Sequence, residues 1–401
     1  MESFLKRYGL LLKIAIGTIL GIIVGLFMPE GVISLVNILN LFISKFINFA
    51  VPLIIIGFVV NGISSLEFSS GKILGITCAI SYVFMLVSGF VSYFVSINIF
   101  PMLLNSALKT FENPIDMANT AKHLHHSIDI PPIMDVTSAL ILSFIIGIGI
   151  SCIKGNFLKN VFSEFHSIIE MFVHKIMVPL IPIYVFGVFV KMSSSGHIQK
   201  ILSSFSKVIL IIVCIHLAVM FMQYIAAGLI AKKNPLELLK NVIPSYTTAL
   251  ATQSSVAVIP VSVKNALANG VSEGISNFIL PLCATIHLSG SIISITCNSI
   301  AVMIINEIPV ELSNMIPFMF MLSIVMVAAP GVPCGAIFAA SGILQSVLGF
   351  DHSMIALMIA LHVAQDGFGT ACNVTGDGAI AVILENIKSK MRGSSLPCKD
   401  L

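Results

Sequence analysis

Charge is what this sequence has least of. Only 10% of its 401 residues are Asp, Glu, Lys or Arg, while 57% are hydrophobic and the mean hydropathy is +1.04. Soluble domains carry about 25% charged residues, so a water-facing surface cannot be assembled from this inventory. The balance is nearly even, 21 basic against 18 acidic residues for a net +3, which leaves no basic face for nucleic acid. Arginine is scarcer still: Arg7 and Arg392 stand near the two ends and none lies between. Because Arg is the usual bidentate clamp for a carboxylate side chain, a site in the middle of the chain has to work without one. Zinc-like Cys/His spacing is missing too. The eight cysteines mostly sit singly in apolar runs, where they read as small hydrophobes rather than disulfide partners.

Long apolar runs fill the space that charge vacates. A bilayer core needs about 20 mainly apolar residues per helix, and such runs cover 8–28, 33–63, 73–104, 132–153, 168–192, 201–230, 271–305 and 353–384. Two further stretches, 241–265 and 313–349, are interrupted by small residues and prolines, at Ser254-Ser255 and at Ala329-Pro330-Gly331-Val332-Pro333. Irregular backbone survives at membrane depth only where protein encloses it, so these read as re-entrant hairpins. The expectation is an all-α multi-pass membrane protein with eight transmembrane helices and two re-entrant hairpins. Lys6 and Arg7 before the first run resemble a signal peptide, but Lys13 inside it and the lack of a small-residue cleavage site favour a retained helix. Lys154, Lys159, Lys232, Lys233, Lys240, Lys388 and Lys390 then join Lys6, Arg7 and Arg392 on one side if both termini are cytoplasmic. Lys191, Lys200 and Lys207 run against that orientation. His123, His125 and His126 fall in the longest polar connection, 105–129, which reads as a solvated outer loop.

The second half repeats itself. A hairpin interrupted at Ser254-Ser255 precedes a helix broken around 285–291, and a hairpin interrupted at 330–333 precedes a helix expected to break at 373–377. Paired interrupted segments in corresponding positions point to the binding site of a secondary transporter, here between residues 245 and 380. Asp366 and Asp377 lie inside the last apolar run, where a charge costs at least about 2.5–3.5 kcal/mol, so function is the default reading. Asp366, Thr370, Asn373 and Asp377 follow at i, i+4, i+7 and i+11, one face of a helix. Flanking Gly367, Gly369, Gly376 and Gly378 weaken the helix and favour unwinding there. On a helix the two aspartates stand about 16 Å apart, against roughly 3 Å for a shared-proton protease pair. A channel would show a carbonyl filter or charged ring, and neither is visible.

At these residues the chain resembles the dicarboxylate/amino acid:cation symporters, the sodium:dicarboxylate family that includes glutamate and neutral amino acid transporters. The resemblance runs over essentially the whole chain. Its most specific part is 366–377, Asp-Gly-Phe-Gly-Thr-Ala-Cys-Asn-Val-Thr-Gly-Asp, followed by Gly331-Val332-Pro333, Ser254-Ser255 and the 281–291 segment. It implies inverted repeats and a homotrimer in the cell (inner) membrane, with transport domains moving like elevators on a scaffold. The divisions implied are scaffold helices one and two (1–72), helix three with the outer loop (73–131), scaffold helices four and five (132–200) and helix six (201–234). Hairpin one (235–270), helix seven (271–306), hairpin two (307–350) and helix eight with its cytoplasmic tail (351–401) complete them.

The resemblance also implies roles. Asp366 would bind a substrate ammonium; Asn373 and the backbone around Ser255 would hold its α-carboxylate, with Ser254, Thr370, Ser291 and Val332 nearby. Gly369 and Gln253 stand where acidic-substrate relatives carry arginine. A small neutral amino acid of serine, threonine or alanine type is therefore expected, with a C4-dicarboxylate or acidic amino acid as the alternative. Asp377, with carbonyls of Asn373, His287 and Cys283, would form one sodium site, and carbonyls near Thr285 and around 326–329 a second. The family's Asn-Met-Asp-Gly-Thr run reads His287-Leu288-Ser289-Gly290-Ser291, so a third sodium loses its acidic ligand, and Met85 and Leu86 replace hydroxyls near Tyr82. Coupling to sodium, or to a proton carried by His287, is left open. No enzyme activity, cofactor or nucleic-acid partner is expected, only substrate, cation, lipid and sister subunits.

Overall fold

The computed structural model describes residues 2–64, 71–108, 130–153, 155–194, 198–327, 329 and 334–394, and among these no strand occurs. Three helices open the chain: α1 (Glu2–Phe27), α2 (Glu30–Ser64) and α3 (Gly71–Leu108). Next come α4 (Val136–Cys152), α5 (Phe157–Phe172), α6 (Val178–Ser194) and α7 (Ile198–Ala231). A π-helical turn, Val173–Met177, joins α5 to α6, so the expected fifth span starts earlier than its apolar run and carries a local widening. The remaining helices are α8 (Pro235–Thr252), α9 (Ser255–Ala268), α10 (Glu273–Ile286), α11 (Ser289–Ile305), α12 (Leu312–Met326), α13 (Gly335–Leu348) and α14 (His352–Ser394).

Local chemistry sets several of these ends. Asp135 caps α4 by accepting Ser138 N–H at 2.9 Å, and Asn234 caps α8 by accepting Leu236 N–H at 3.0 Å, with Pro235 following in the first turn. Both are arrangements that satisfy orphan helix donors or dispense with one. Glu385 near the end of α14 accepts the N–H and hydroxyl of Ser272 at 2.8 and 2.6 Å, tying α14 to the start of α10.

Among the described residues six stretches are long and apolar enough to cross a membrane: Glu30–Asn61, Ile73–Leu104, Phe157–Lys191, Ser206–Ala231, Glu273–Ile305 and Leu357–Ser389. Ala15–Phe27 and Ile141–Cys152 are shorter apolar helices. Large apolar side chains such as Leu20, Phe27, Leu35, Phe94, Ile145, Leu210 and Leu229 are exposed, as a lipid-facing surface requires. Against them, α11 and the middle of α14 are enclosed: residues 289–303 are buried throughout, and so are residues 369–384. These two form the centre, although they hold most of the polar residues singled out in the sequence.

α1 approaches α6 through Gly17, Gly21 and Gly25. A Cβ on Gly17 or Gly21 would fall 2.7 or 2.6 Å from the carbonyl oxygens of Pro182 and Phe186, the small-residue spacing that lets membrane helices meet at their backbones. α8 and α9 form an antiparallel pair. Ser245 meets Ser262 at 3.2 Å near the tip, and Asn241 donates to Asn269 Oδ1 at 2.8 Å further from it.

Helix seven is interrupted as expected. α10 ends at Ile286, His287 and Leu288 leave helical geometry, and α11 begins at Ser289. The corresponding break in helix eight is absent: α14 runs unbroken from His352 to Ser394. Its glycines serve close approach instead of unwinding. A Cβ on Gly376 would stand 2.5 Å from His287 Cε1, one on Gly378 2.6 Å from Tyr224 Oη, and one on Gly367 2.9 Å from Leu250 O. The symmetry of the two halves therefore holds for their helix pairs and fails at the helix that follows each.

Candidate functional site

The break between α10 and α11 delivers the first turn of α11 to the polar face of α14. Asn373 Oδ1 accepts Gly290 N–H at 2.7 Å and Ser291 N–H at 3.4 Å, and its Nδ2 donates to Ser291 Oγ at 3.2 Å. Asn373 thus satisfies, from another helix, donors that α11 cannot satisfy itself. The approach demands glycine at 290, because an added Cβ there would sit 2.8 Å from Cys372 Cβ and closer still to Gly369 O. Gly290 O accepts from His216 Nε2 at 2.9 Å, and that nitrogen is also 3.2 Å from Ser294 Oγ. Gln223 Nε2 donates to Ser289 Oγ at 3.3 Å, and Leu288 N–H points to Met85 Sδ at 3.4 Å. Met85 therefore does stand at the break, with a thioether where relatives were expected to offer a hydroxyl.

Asp377, one turn beyond Asn373, holds His287 Nδ1 at 2.9 Å, and both side chains are at most 3% exposed. His287 Nε2 has no hydrogen-bond partner among the described residues; Phe84 packs on the ring edge at 6.1 Å between centroids. The Cys283 carbonyl accepts His287 N–H at 2.9 Å, closing α10. Thr285 is exposed, its hydroxyl turned back to Leu282 O at 2.8 Å. Asp377, Asn373, His287 and Cys283 are thus gathered at the break and Thr285 lies at its rim. Among the described residues no three His, Cys, Asp or Glu side chains cluster as a metal centre would, so a cation here would have to draw on carbonyls beside the Asp377 carboxylate.

Three turns before Asp377 on α14, Asp366 Oδ2 accepts Cys334 N–H at 2.9 Å where α13 begins. The tip of the α8–α9 pair reaches the same stretch: Gly367 would meet Leu250 O at 2.9 Å and Gln253 Cγ at 3.7 Å through a Cβ. Gln253 turns the chain in a left-handed conformation (φ 53°), Ser254 Oγ caps α9 by accepting Ala257 N–H at 3.4 Å, and Ser255 is buried. Three helix N-termini, those of α9, α11 and α13, thus abut the 366–373 stretch of α14. Helix N-termini favour negative charge, while Asp366 favours a positive one. Thr370, Gly369 and Ser291 are buried in the same region. Val332 lies outside the described residues.

The sequence reading missed three polar residues here, Gln223, His216 and His362, all buried. Each interrupts a predicted span, and the rule that marked Asp366 and Asp377, that an ionisable or strongly polar group at membrane depth needs a reason, marks the two histidines as well.

Comparison with known proteins identifies the family. The sequence pattern of the sodium:dicarboxylate symporter family matches residues 10–387. The chain is 27% identical to the serine/threonine transporter of Acinetobacter baumannii strain AYE over 94% of its own length and 96% of that protein's. It is likewise 27% identical to the serine/threonine transporter of Acinetobacter baylyi, over 96% and 99% of the two chains. Excitatory amino acid transporter 5 of Mus musculus is 32% identical over 40% of this chain and 29% of that protein. The chain belongs to the sodium:dicarboxylate symporter family, a multi-pass membrane transporter that couples its substrate to a cation, and not an enzyme.

Proposed function

We propose that this symporter imports a small neutral amino acid of the serine, threonine or alanine type. The observation that carries the reading is the charge inventory of the site: one carboxylate, Asp366, among three helix N-termini, in a chain whose only arginines are Arg7 and Arg392. A zwitterion needs one anion for its ammonium and several N–H donors for its carboxylate. A second substrate carboxylate needs a fixed cation, and Gly369 and Gln253 supply none. The relatives described as serine/threonine transporters agree with this choice.

In this reading Asp366 receives the ammonium. The first N–H groups of α9 around Ser254 and Ser255, with Asn373, Thr370 and Ser291, receive the carboxylate, and Val332 closes the site. Sodium is the favoured coupling cation, because Asp377 and backbone carbonyls form the oxygen-rich set a hard cation prefers. The α8–α9 and α12–α13 pairs act as re-entrant hairpins, and α1 and α4 complete eight spans. The termini face the cytoplasm, and three copies assemble in the cell membrane with transport domains that move as elevators.

Uptake of radiolabelled substrates by purified protein in liposomes tests the proposal. Serine, threonine and alanine should accumulate or compete for uptake under an inward sodium gradient. Succinate or aspartate accumulating while those three neither accumulate nor compete contradicts it and favours the dicarboxylate alternative.

A further inference from the structure

Asp366 has a neighbour that nothing so far has used. His362 lies one turn before it on α14, and its Nε2 is 3.5 Å from Asp366 Oδ1 without hydrogen-bond geometry. The ring is 1% exposed, and neither nitrogen has a hydrogen-bond partner among the described residues. A buried imidazole left unpaired on both sides is costly to keep, and this one stands against the carboxylate that the reading above assigns to a substrate ammonium. The other groups around it are few. α7 brings His216, whose ring is within electrostatic reach of His362, and α11 and α13 carry no charged residue, the thiols there being Cys297 in α11 and Cys334 just before α13. α6 brings Lys191, which lies toward Asp351 at the far start of α14.

We propose that His362 is a substrate-site residue whose protonation decides whether Asp366 is free to take an ammonium group. With the imidazole neutral, Asp366 presents its full negative charge to the substrate. With the imidazole protonated, a buried cation already occupies the i, i+4 position beside that carboxylate, and a second cation is opposed by it. The competition is between two cations, the imidazolium and the substrate ammonium, for one carboxylate. The sign follows: an ammonium-bearing substrate binds more weakly as pH falls. A dicarboxylate, with no ammonium to be displaced, would bind more tightly over the same range. The inference rests on the neutral amino acid reading above.

The test is equilibrium binding of radiolabelled serine to purified wild type and His362→Gln, at saturating sodium and without any gradient, from about pH 7.5 to about pH 5.5. Glutamine keeps a polar side chain and cannot titrate. The wild-type Kd should rise along an acid limb as pH falls, while the variant's Kd stays flat across the same range. Parallel acid limbs in the two proteins overturn the proposal, because a merely structural His362 would alter thermal stability and leave the slope alone. If His362→Gln does not fold, His362→Asn replaces it, and a pH-independent serine Kd in the wild type overturns the proposal without any variant. Succinate separates the two levels of the argument. Succinate binding with no binding of serine, threonine or alanine at any pH means the substrate reading has failed; serine binding with an unchanged slope means only the role of His362 has.

Discussion

Two aspartates on one helix carry the electrostatics of the site, and each is engaged by the protein itself: Asp366 by the Cys334 N–H and Asp377 by the His287 ring. These contacts keep the buried carboxylates from standing unpaired, and in the proposed reading substrate and cation exchange with them. Asp366→Asn keeps the shape and removes the charge proposed to answer a substrate ammonium. A hydrogen bond to a charged group is worth about 1.5–3 kcal/mol, so the serine Kd or KM should rise about 10- to 100-fold, with a smaller change in maximal rate. Uptake unaffected by this substitution would mean that no ammonium is bound there. At Asp377 the expected loss is of the cation: Asp377→Asn should weaken sodium activation of uptake, read by titrating sodium against choline at fixed pH. Both aspartates were legible in the sequence because charge is so rare in it. His287 was legible beside Asp377 through the family resemblance, though as a carbonyl or a proton carrier and not as the ring that meets the carboxylate 90 positions away; His362 was overlooked although it lies only one turn before Asp366.

Glycines decide how closely the central helices approach, and their number in the 366–378 stretch misled the sequence reading. Helix propensity treats each as a weak point, whereas α14 stays helical and uses three of them to admit Leu250, the His287 ring and the Tyr224 hydroxyl. Tertiary packing overrides propensity here, and no property of a single helix reveals it. Two substitutions separate the ideas. Gly376→Ala places a methyl 2.5 Å from His287 Cε1 and 2.7 Å from Gln223 Oε1, an overpacking expected to cost about 1–3 kcal/mol and to lower thermal stability and sodium-driven uptake together. Gly369→Ala meets nothing closer than 3.5 Å and should leave thermal stability and serine uptake near wild type. Equal damage from both would show that helix propensity, not close approach, governs α14. On the outer side, Gly21→Leu should part α1 from α6, since even a Cβ there lies 2.6 Å from Phe186 O and 2.9 Å from Phe189 Cβ; a thermal melt in detergent reads the loss.

On the scale of the whole molecule the scarcity of charge and the enclosure of polar groups are one fact. Apolar side chains face outward along α1 to α7, while serines, amides and histidines concentrate where α10–α11 and α14 cross. Fold class was legible because hydropathy over 20 or so residues is a strong signal. The pairing of α8 with α9 and the interruption before α11 were legible from small residues and prolines. Which residues those interruptions face was not, because that depends on contacts between helices far apart in sequence. The central claim, a zwitterion site without an arginine clamp, is tested most directly by a competition panel in liposomes with and without a sodium gradient. Unlabelled serine, threonine and alanine should each suppress gradient-driven uptake of radiolabelled serine while succinate and aspartate leave it unchanged. Accumulation of succinate or aspartate that serine, threonine and alanine fail to inhibit would contradict the account.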